Sequence, residues 1–178
     1  VYFLPGRGAR LDSGLGAELT RRGYAVSGQE ITPTFEQQPF SDQIQQVRGA
    51  IVSEHFHDSG LIVAHSYGAH LCLSALAGLP AYPGRLLLIS PVFRSVRSGF
   101  NSFRPPAAKS LAQAIDSGSF PCPTGRVSIL SGELDWQVPT DGLQRLASVV
   151  RADFELVPQA EHQLSHQVVR DWLDRMLL

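Results

Sequence analysis

Short apolar runs recur along the chain, and amphipathic segments separate them. Continuous runs of leucine and β-branched residues are typical of strands that are buried on both faces of a sheet. Five such runs stand out, at residues 1–4, 61–64, 85–90, 126–130 and 154–157. A weaker run at residues 24–31, interrupted by Gly28, is a sixth candidate strand. The pattern therefore predicts six strands.

Between these runs, apolar residues recur every three or four positions, which predicts helices with one buried face. The first predicted helix begins after Asp12 or Ser13 and ends at Gly23, and the second is capped by Ser41. Residues 32–39 contain two prolines and are interpreted as a loop between these helices. Further helices of this kind are predicted at residues 143–150 and 168–177, and the small and apolar residues 68–77 predict a buried helix.

Strands that alternate with helices predict a parallel sheet covered on both faces. The predicted fold class is a three-layer α/β sandwich with a mostly parallel six-stranded sheet and helices on both sides. At 178 residues with 43% hydrophobic content, the chain is expected to form one domain over residues 1–178. Residues 92–125 interrupt the alternation and contain one short helical pattern, at Leu111 and Ile115. We interpret them as an insert, and this name is kept below.

Charge and motif content argue against several functional classes. The formal net charge of −1 provides no electrostatic basis for binding nucleic acid or an anionic membrane. No apolar stretch approaches the roughly 18 residues that a membrane span requires. Cys72 and Cys122 make no disulfide framework, and metal-binding and phosphate-binding motifs are absent, so no cofactor or metal is expected. We expect a cytoplasmic location, and a leader or an earlier strand before Val1 stays an open alternative.

One predicted strand passes into a helix without a spacer. Residues 61–64 lead into the small and apolar residues 68–77 through the pentapeptide Ala64-His65-Ser66-Tyr67-Gly68. Such a sharp strand-to-helix turn presents its middle residue, here Ser66, at the tip of the bend with its hydroxyl towards a cleft. A serine at such a position can also be a simple N-cap of the helix. The loops that follow the other strands distinguish the two interpretations.

This pentapeptide resembles the nucleophile elbow of the α/β-hydrolase family, whose pattern is G-x-S-x-G, although Ala64 replaces the first glycine. Two other loops fit the same family. A G-x-x-D segment, residues 132–135, follows a predicted strand and leads into a Val-Pro pair, and His162 stands between the last strand and the last helix. The resemblance implies that Ser66 is the nucleophile, Asp135 the acid and His162 the base, in the family's chain order.

The resemblance also implies two backbone donors for the negative charge that develops on a substrate carbonyl. One is the N–H of Tyr67, directly after the nucleophile. The other is the N–H of Arg7, in the Pro5-Gly6-Arg7-Gly8 loop that follows the first strand. The family often has H-G-x-G at this loop, and this chain keeps the glycines but lacks the histidine.

Other titratable residues compete for these roles. Glu133 is an alternative acid, and His166, four residues after His162, is an alternative base. The neighbours His65 and His70 flank Ser66 in sequence and are interpreted as structural. The last pair, His55 and His57, precedes the central strand and is interpreted as surface residues at the wrong edge of the sheet.

The insert occupies the position where the family usually carries its lid. The resemblance implies a substrate pocket walled by aromatic residues, namely Phe93, Phe100, Phe103 and Trp136, although the aromatics of the insert could also only pack it down. Its basic residues could attract an acidic substrate or face solvent. The expected function is hydrolysis of a small ester or thioester through an acyl-enzyme. An acyltransferase with the same residues and a non-catalytic binding or signalling protein are the alternatives, and the oligomeric state stays open.

Overall fold

A computed structural model describes residues 1–177 as a six-stranded, entirely parallel sheet with helices on both faces. The strands of this sheet are β1 (Tyr2–Leu4), β2 (Ser27–Gly28), β3 (Leu61–His65), β4 (Arg85–Ile89), β7 (Val127–Gly132) and β8 (Asp153–Val157). Their order across the sheet is β2-β1-β3-β4-β7-β8. The predicted three-layer fold class is therefore confirmed, and every neighbouring pair is parallel.

Most helices bury one face, whereas nearly every residue of the helix that follows β3 is buried. They are α1 (Gly14–Arg21), α2 (Pro33–Glu36), α3 (Phe40–Ala50), α4 (Tyr67–Leu76), α5 (Ala108–Asp116), α6 (Thr140–Val150) and α7 (His166–Leu177). The α3 helix continues into a π-helical turn, Ile51–His55. No helix within residues 1–177 is long and apolar enough to cross a membrane.

Alternate residues of the central strands enter two separate apolar layers. Ile62 and Leu88 pack with α3, α4 and α6 on one face of the sheet, whereas Val63 and Leu87 pack with Trp172 of α7 on the other. Helix α1 shares this second face. Because successive side chains of a strand point to opposite faces, continuous apolar runs are what a doubly covered sheet requires.

The predicted second strand and second helix differ from the observed ones. Only Ser27–Gly28 of the predicted run 24–31 pairs with β1. A Cβ at Gly28 would lie 1.9 Å from the Phe3 carbonyl oxygen, so the two strands are in close contact there. The predicted loop 32–39 contains the short helix α2, whose cap is Thr32, the acceptor for the Phe35 N–H. The helix that Ser41 was expected to cap begins two residues earlier, at Phe40, and its cap position is Pro39.

The insert contains more structure than its single helical pattern predicts. Its helix is α5, as expected, and an antiparallel hairpin of β5 (Val96–Ser98) and β6 (Asn101–Phe103) precedes it. Gly99 has a φ of +58° at the turn, which glycine adopts without steric cost. Three-residue strands are too short for alternation of polar and apolar residues to stand out, so the sequence pattern did not predict this hairpin.

Candidate active site

Ser66 lies between the last residue of β3 and the first residue of α4. Its φ and ψ are +53° and −118°, a region that residues with a side chain rarely occupy and that costs on the order of 1–3 kcal/mol. The surrounding sheet holds it there, since its N–H donates to the Ile89 carbonyl at 2.9 Å and its own carbonyl accepts from Ala69 at 3.0 Å. The backbone therefore forms the strained turn that the pentapeptide predicts.

Gly68 makes this turn compatible with the neighbouring strand. A Cβ at position 68 would lie 2.1 Å from the Leu4 carbonyl oxygen and 2.4 Å from that of Pro5. The first turn of α4 thus rests directly against the carboxyl end of β1. Any larger residue at position 68 would push apart two of the loops that surround Ser66.

Hydrogen bonds join Ser66, His162 and Asp135 in a chain. The Ser66 Oγ lies 2.8 Å from His162 Nε2, and His162 Nδ1 lies 2.7 Å from Asp135 Oδ2. A carboxylate can only accept, so Nδ1 carries the ring proton and Nε2 is free to accept from the Ser66 hydroxyl. The other carboxylate oxygen, Asp135 Oδ1, accepts the Gln137 N–H at 2.9 Å. The Asp135 side chain is completely buried.

Hydrogen bonds join the loop that carries Asp135 to the loop that carries His162. The Leu134 N–H donates to the Ala160 carbonyl at 2.8 Å, and the Gln159 N–H donates to the Glu133 carboxylate at 3.1 Å. The Ser90 hydroxyl at the end of β4 donates to the His162 carbonyl at 3.0 Å. Glu133, the alternative acid, is therefore an exposed residue that holds the histidine loop and does not contact His162 Nδ1.

The predicted backbone donors lie at the same cavity as Ser66. This cavity, of about 290 Å³, is lined by Gly6, Arg7, Ala9, His65, Ser66, Tyr67, Phe103, Gln137, His162 and Gln163. Tyr67 is the first residue of α4, so its N–H has no acceptor within the helix. The Arg7 N–H makes no hydrogen bond to any residue of 1–177. Both groups are available to a ligand.

The Arg7 side chain is held by three groups around it. Its guanidinium lies 4.0 Å from the centre of the Tyr67 ring and 5.6 Å from that of Phe103, and its Nε contacts the Glu36 carboxylate at 2.5 Å. Tyr67 belongs to the turn around Ser66, Phe103 to the insert and Glu36 to α2. Cation–π and ionic contacts of this kind restrict the conformations of the loop that carries the Arg7 N–H.

Of the four aromatic residues predicted to wall the pocket, the structure brings Phe103 to the cavity. Phe93 is fully buried in the apolar layer beneath the insert, where a Cβ at Gly142 would lie 3.4 Å from its ring. Phe100 is fully exposed at the hairpin turn. Trp136 is half-buried beside Asp135 but does not line the cavity. Packing thus separates residues that are close in sequence.

Two glutamines at the cavity were not predicted. Gln137 and Gln163 line it, and each is within two residues of a predicted site residue. Adjacency to Asp135 and His162 was the available signal, but the sequence pattern contains nothing that specifies the direction of either side chain. Their amide groups can hydrogen-bond to a substrate.

The flanking histidines differ from His162, the predicted base, in their surroundings. His65 stacks on His162, with ring centres 6.2 Å apart. Burial lowers the pKa of His65 to about 4, and the nearby His162 adds to the effect. His65 is therefore neutral at pH 7. The alternative base, His166, is exposed in the first turn of α7. His55, expected at the surface, is instead half-buried and packs against Tyr2 with tilted rings whose centres are 5.2 Å apart, because the π-helical turn points it at β1.

His70 connects the helix after Ser66 to the insert. It is fully buried, and its Nε2 donates to the Pro106 carbonyl at 2.8 Å. Burial lowers the pKa of His70 to about 4 from its ordinary 6.5. His70 therefore binds a proton at a lower pH in the folded protein than in the unfolded chain.

The resulting prediction concerns acid stability. Between pH 6.5 and about 4 the unfolded chain binds more protons, so the free energy of unfolding should fall as the pH falls through this window. His70→Gln, which keeps a donor for Pro106, should lose about 2–3 kcal/mol less over the window than the native chain does. Urea unfolding at several pH values from 7 to 4 measures this, with His57→Gln at an exposed position as the control. Equal pH dependence of the native chain and His70→Gln would contradict it.

Comparison with solved structures gives several with the same fold. The ydeN gene product of Bacillus subtilis is 19% identical with a TM-score of 0.65, covering 99% of this chain and 97% of that one. An esterase domain from a Rhodothermus marinus protein is 18% identical with a TM-score of 0.60, covering 98% and 86%. The peroxisomal α/β-hydrolase of Saccharomyces cerevisiae is 12% identical with a TM-score of 0.66, covering 99% and 74%. No protein-family model and no curated protein matches the sequence.

Proposed function

We propose that this chain, which has the fold of the α/β-hydrolase superfamily, is a serine hydrolase that cleaves a small ester or thioester through an acyl-enzyme on Ser66. The observation that carries the proposal is the hydrogen-bonded chain from Ser66 Oγ through His162 to the buried Asp135 carboxylate. A serine hydroxyl is a weak nucleophile unless a base within hydrogen-bond distance accepts its proton. Solved structures of the same fold include an esterase domain, which is consistent with this class of reaction.

Acylation begins with the Ser66 hydroxyl. As Oγ attacks the substrate carbonyl carbon, its proton passes to His162 Nε2, and the carbonyl oxygen becomes an oxyanion. The N–H groups of Arg7 and Tyr67 then donate to that oxygen, and removal of one such donor typically costs about 10²–10³ in rate. His162 returns the proton to the leaving oxygen or sulfur as its bond to the carbonyl carbon breaks. The acyl group stays on Ser66.

Deacylation uses the same groups in reverse roles. A water molecule attacks the acyl carbon, and His162 Nε2 accepts a proton from it. When the tetrahedral species collapses, the proton returns to Ser66 Oγ and the carboxylic acid leaves. Throughout both steps the Asp135 carboxylate fixes the Nδ1–H tautomer of His162 and stabilises the imidazolium that forms.

The dimensions of the site favour short acyl groups. The cavity at Ser66 has a volume of about 290 Å³, and the insert above it contributes one residue, Phe103, to its lining. Enclosing most of a long acyl chain requires walls on several sides. A hairpin and one short helix provide few such walls.

A panel of p-nitrophenyl esters and one thioester tests the proposal. We expect hydrolysis of the acetate and butyrate esters in solution, with a higher kcat/KM than for the octanoate ester. A fluorophosphonate probe should label Ser66, and mass spectrometry of the labelled peptide identifies the residue. Adding an alcohol or thiol acceptor distinguishes an acyltransferase, which would form a new ester in preference to the acid. Folded protein that neither turns over any ester nor reacts with the probe would contradict the proposal.

A further inference from the structure

A second cavity adjoins the one at Ser66. It has a volume of about 260 Å³ and lies between α1 and α7, on the face of the sheet opposite α4. Three residues, Ala9, His65 and Gln163, line both cavities. The two cavities are therefore adjacent, and His65 lies at their common boundary.

The walls of this second cavity have two kinds of surface. Apolar side chains of Phe3, Leu15, Ile89 and Val169 line part of it. Two guanidinium groups, those of Arg10 on the loop after β1 and Arg170 on α7, line another part, and both side chains are exposed. An apolar wall beside cations suits a ligand with an apolar body and an anionic end.

The one carboxylate in the lining does not offset these cations. Glu18 is half-buried and accepts from Arg21 at 2.5 Å and also contacts Arg22, so its charge is directed at two other guanidinium groups. Arg170 Nε reaches it only at 3.7 Å. Arg10 pairs with Asp12, but both side chains are more than half exposed and such pairs are weak and readily exchanged. The lining keeps an excess of positive charge.

The position of His162 decides which part of a substrate enters this cavity. Under the proposed function, His162 Nε2 must face the leaving atom in order to return its proton. The leaving group therefore lies on the His162 side of the carbonyl carbon. Three residues that follow His162, namely Gln163, Leu164 and His166, line the second cavity. The alcohol or thiol part of the substrate is thus directed towards it.

We propose that the cavity between α1 and α7 binds the alcohol or thiol part of the substrate, and that this part ends in an anionic group held by Arg10 and Arg170. This inference rests on the proposed hydrolase function and adds a substrate class to it, namely esters of short acids with an anionic alcohol or thiol. The apolar wall contacts the body of the leaving group, and the acyl part stays at Phe103.

Two matched pairs of acetate esters test this. The first pair is 4-carboxyphenyl acetate and 4-carbamoylphenyl acetate, which have nearly the same shape and differ in charge. The second pair places the carboxylate or carboxamide two methylene groups further from the ring. In one pair or both we expect a preference in kcat/KM of about five- to tenfold for the anionic ester, as two partly exposed ionic contacts allow. The preference should decrease in 0.5 M salt, because salt screens exposed charges.

Charge-removing variants assign the preference to this cavity. In the double variant Arg10→Gln/Arg170→Gln the ratio of the two kcat/KM values should fall to about one, with the loss mainly in KM for the anionic ester. Arg126→Gln is the matched control, since Arg126 is also an exposed, ion-paired arginine but lies at the amino end of β7. It should keep the native preference.

The outcomes separate this inference from the proposed function. If no ester is turned over, the proposed function fails. If both members of each pair are hydrolysed equally well, or if the double variant keeps the preference, the hydrolase proposal stands and the anionic leaving-group inference is wrong. A preference for a carboxylate on the acyl side, measured with phenyl hydrogen succinate against phenyl butyrate, would also overturn it, because the cavity would then receive the acid part.

Discussion

Replacing Ser66 or His162 by alanine should lower kcat for p-nitrophenyl acetate by a factor on the order of 10⁶, the loss typical when either member of such a pair is removed. Without the hydroxyl there is no group to form the acyl-enzyme, and without the imidazole the hydroxyl has no proton acceptor at 2.8 Å. Because the two act as one unit, the double variant should be no slower than either single one. Steady-state release of p-nitrophenol measures the rate, and burst titration of the native chain gives its fraction of competent enzyme.

His166→Ala is the matched control for His162→Ala. His166 is four residues away and exposed on α7, and it makes no hydrogen bond to Ser66 or Asp135. We expect this variant to keep most of the native kcat, whereas its KM can change because His166 lines the cavity between α1 and α7. If His166→Ala were the more damaging change, the base would have to be reassigned.

Replacing Asp135 by asparagine should lower kcat by about 10⁴, as when a buried triad acid is neutralised. The amide keeps the size of the side chain, so the loop and the buried position should persist. An asparagine that turns its NH₂ towards His162 Nδ1 would favour the opposite ring tautomer, with the proton on Nε2. His162 could then no longer accept from Ser66. The loss should appear in kcat with little change in KM, since Asp135 does not line the cavity.

Glu133→Gln is the control for this acid. Glu133 accepts the Gln159 N–H at 3.1 Å on the exposed side of the loop, and glutamine retains an oxygen that can accept it. We expect a loss of less than about tenfold, because the hydrogen bond is exposed and neutral replacement preserves it. A larger loss in Glu133→Gln than in Asp135→Asn would overturn the assignment of the acid.

The central sheet could be predicted because burial on both faces leaves continuous apolar runs, as at residues 61–64 and 85–90. The features that the sequence did not predict are short and depend on local contacts. Helix α2 has four residues, a length at which periodicity is not visible, and a side-chain cap at Thr32 stabilises it. The β5–β6 hairpin has three residues per strand and pairs only with itself.

In the candidate site, likewise, the loops could be predicted from the sequence but the side-chain directions could not. The loops of Ser66, Asp135 and His162 were identified from motifs at the carboxyl ends of strands, and the strand order β3-β4-β7-β8 brings those ends together. The direction of each side chain could not be predicted in this way. Phe93 and Phe103 both belong to the insert, yet only tertiary packing determines that the first enters the core and the second faces the cavity.

At position 66 the residue that would give the most stable fold differs from the residue that the proposed reaction requires. A glycine would adopt a φ of +53° without the steric cost that serine bears, so the fold itself would favour glycine there. Selection for stability alone would therefore remove the hydroxyl from this turn. The hydrogen bonds to Ile89 and Ala69 hold serine in this conformation, and under the proposed function its role as nucleophile is the reason that serine rather than glycine stands here.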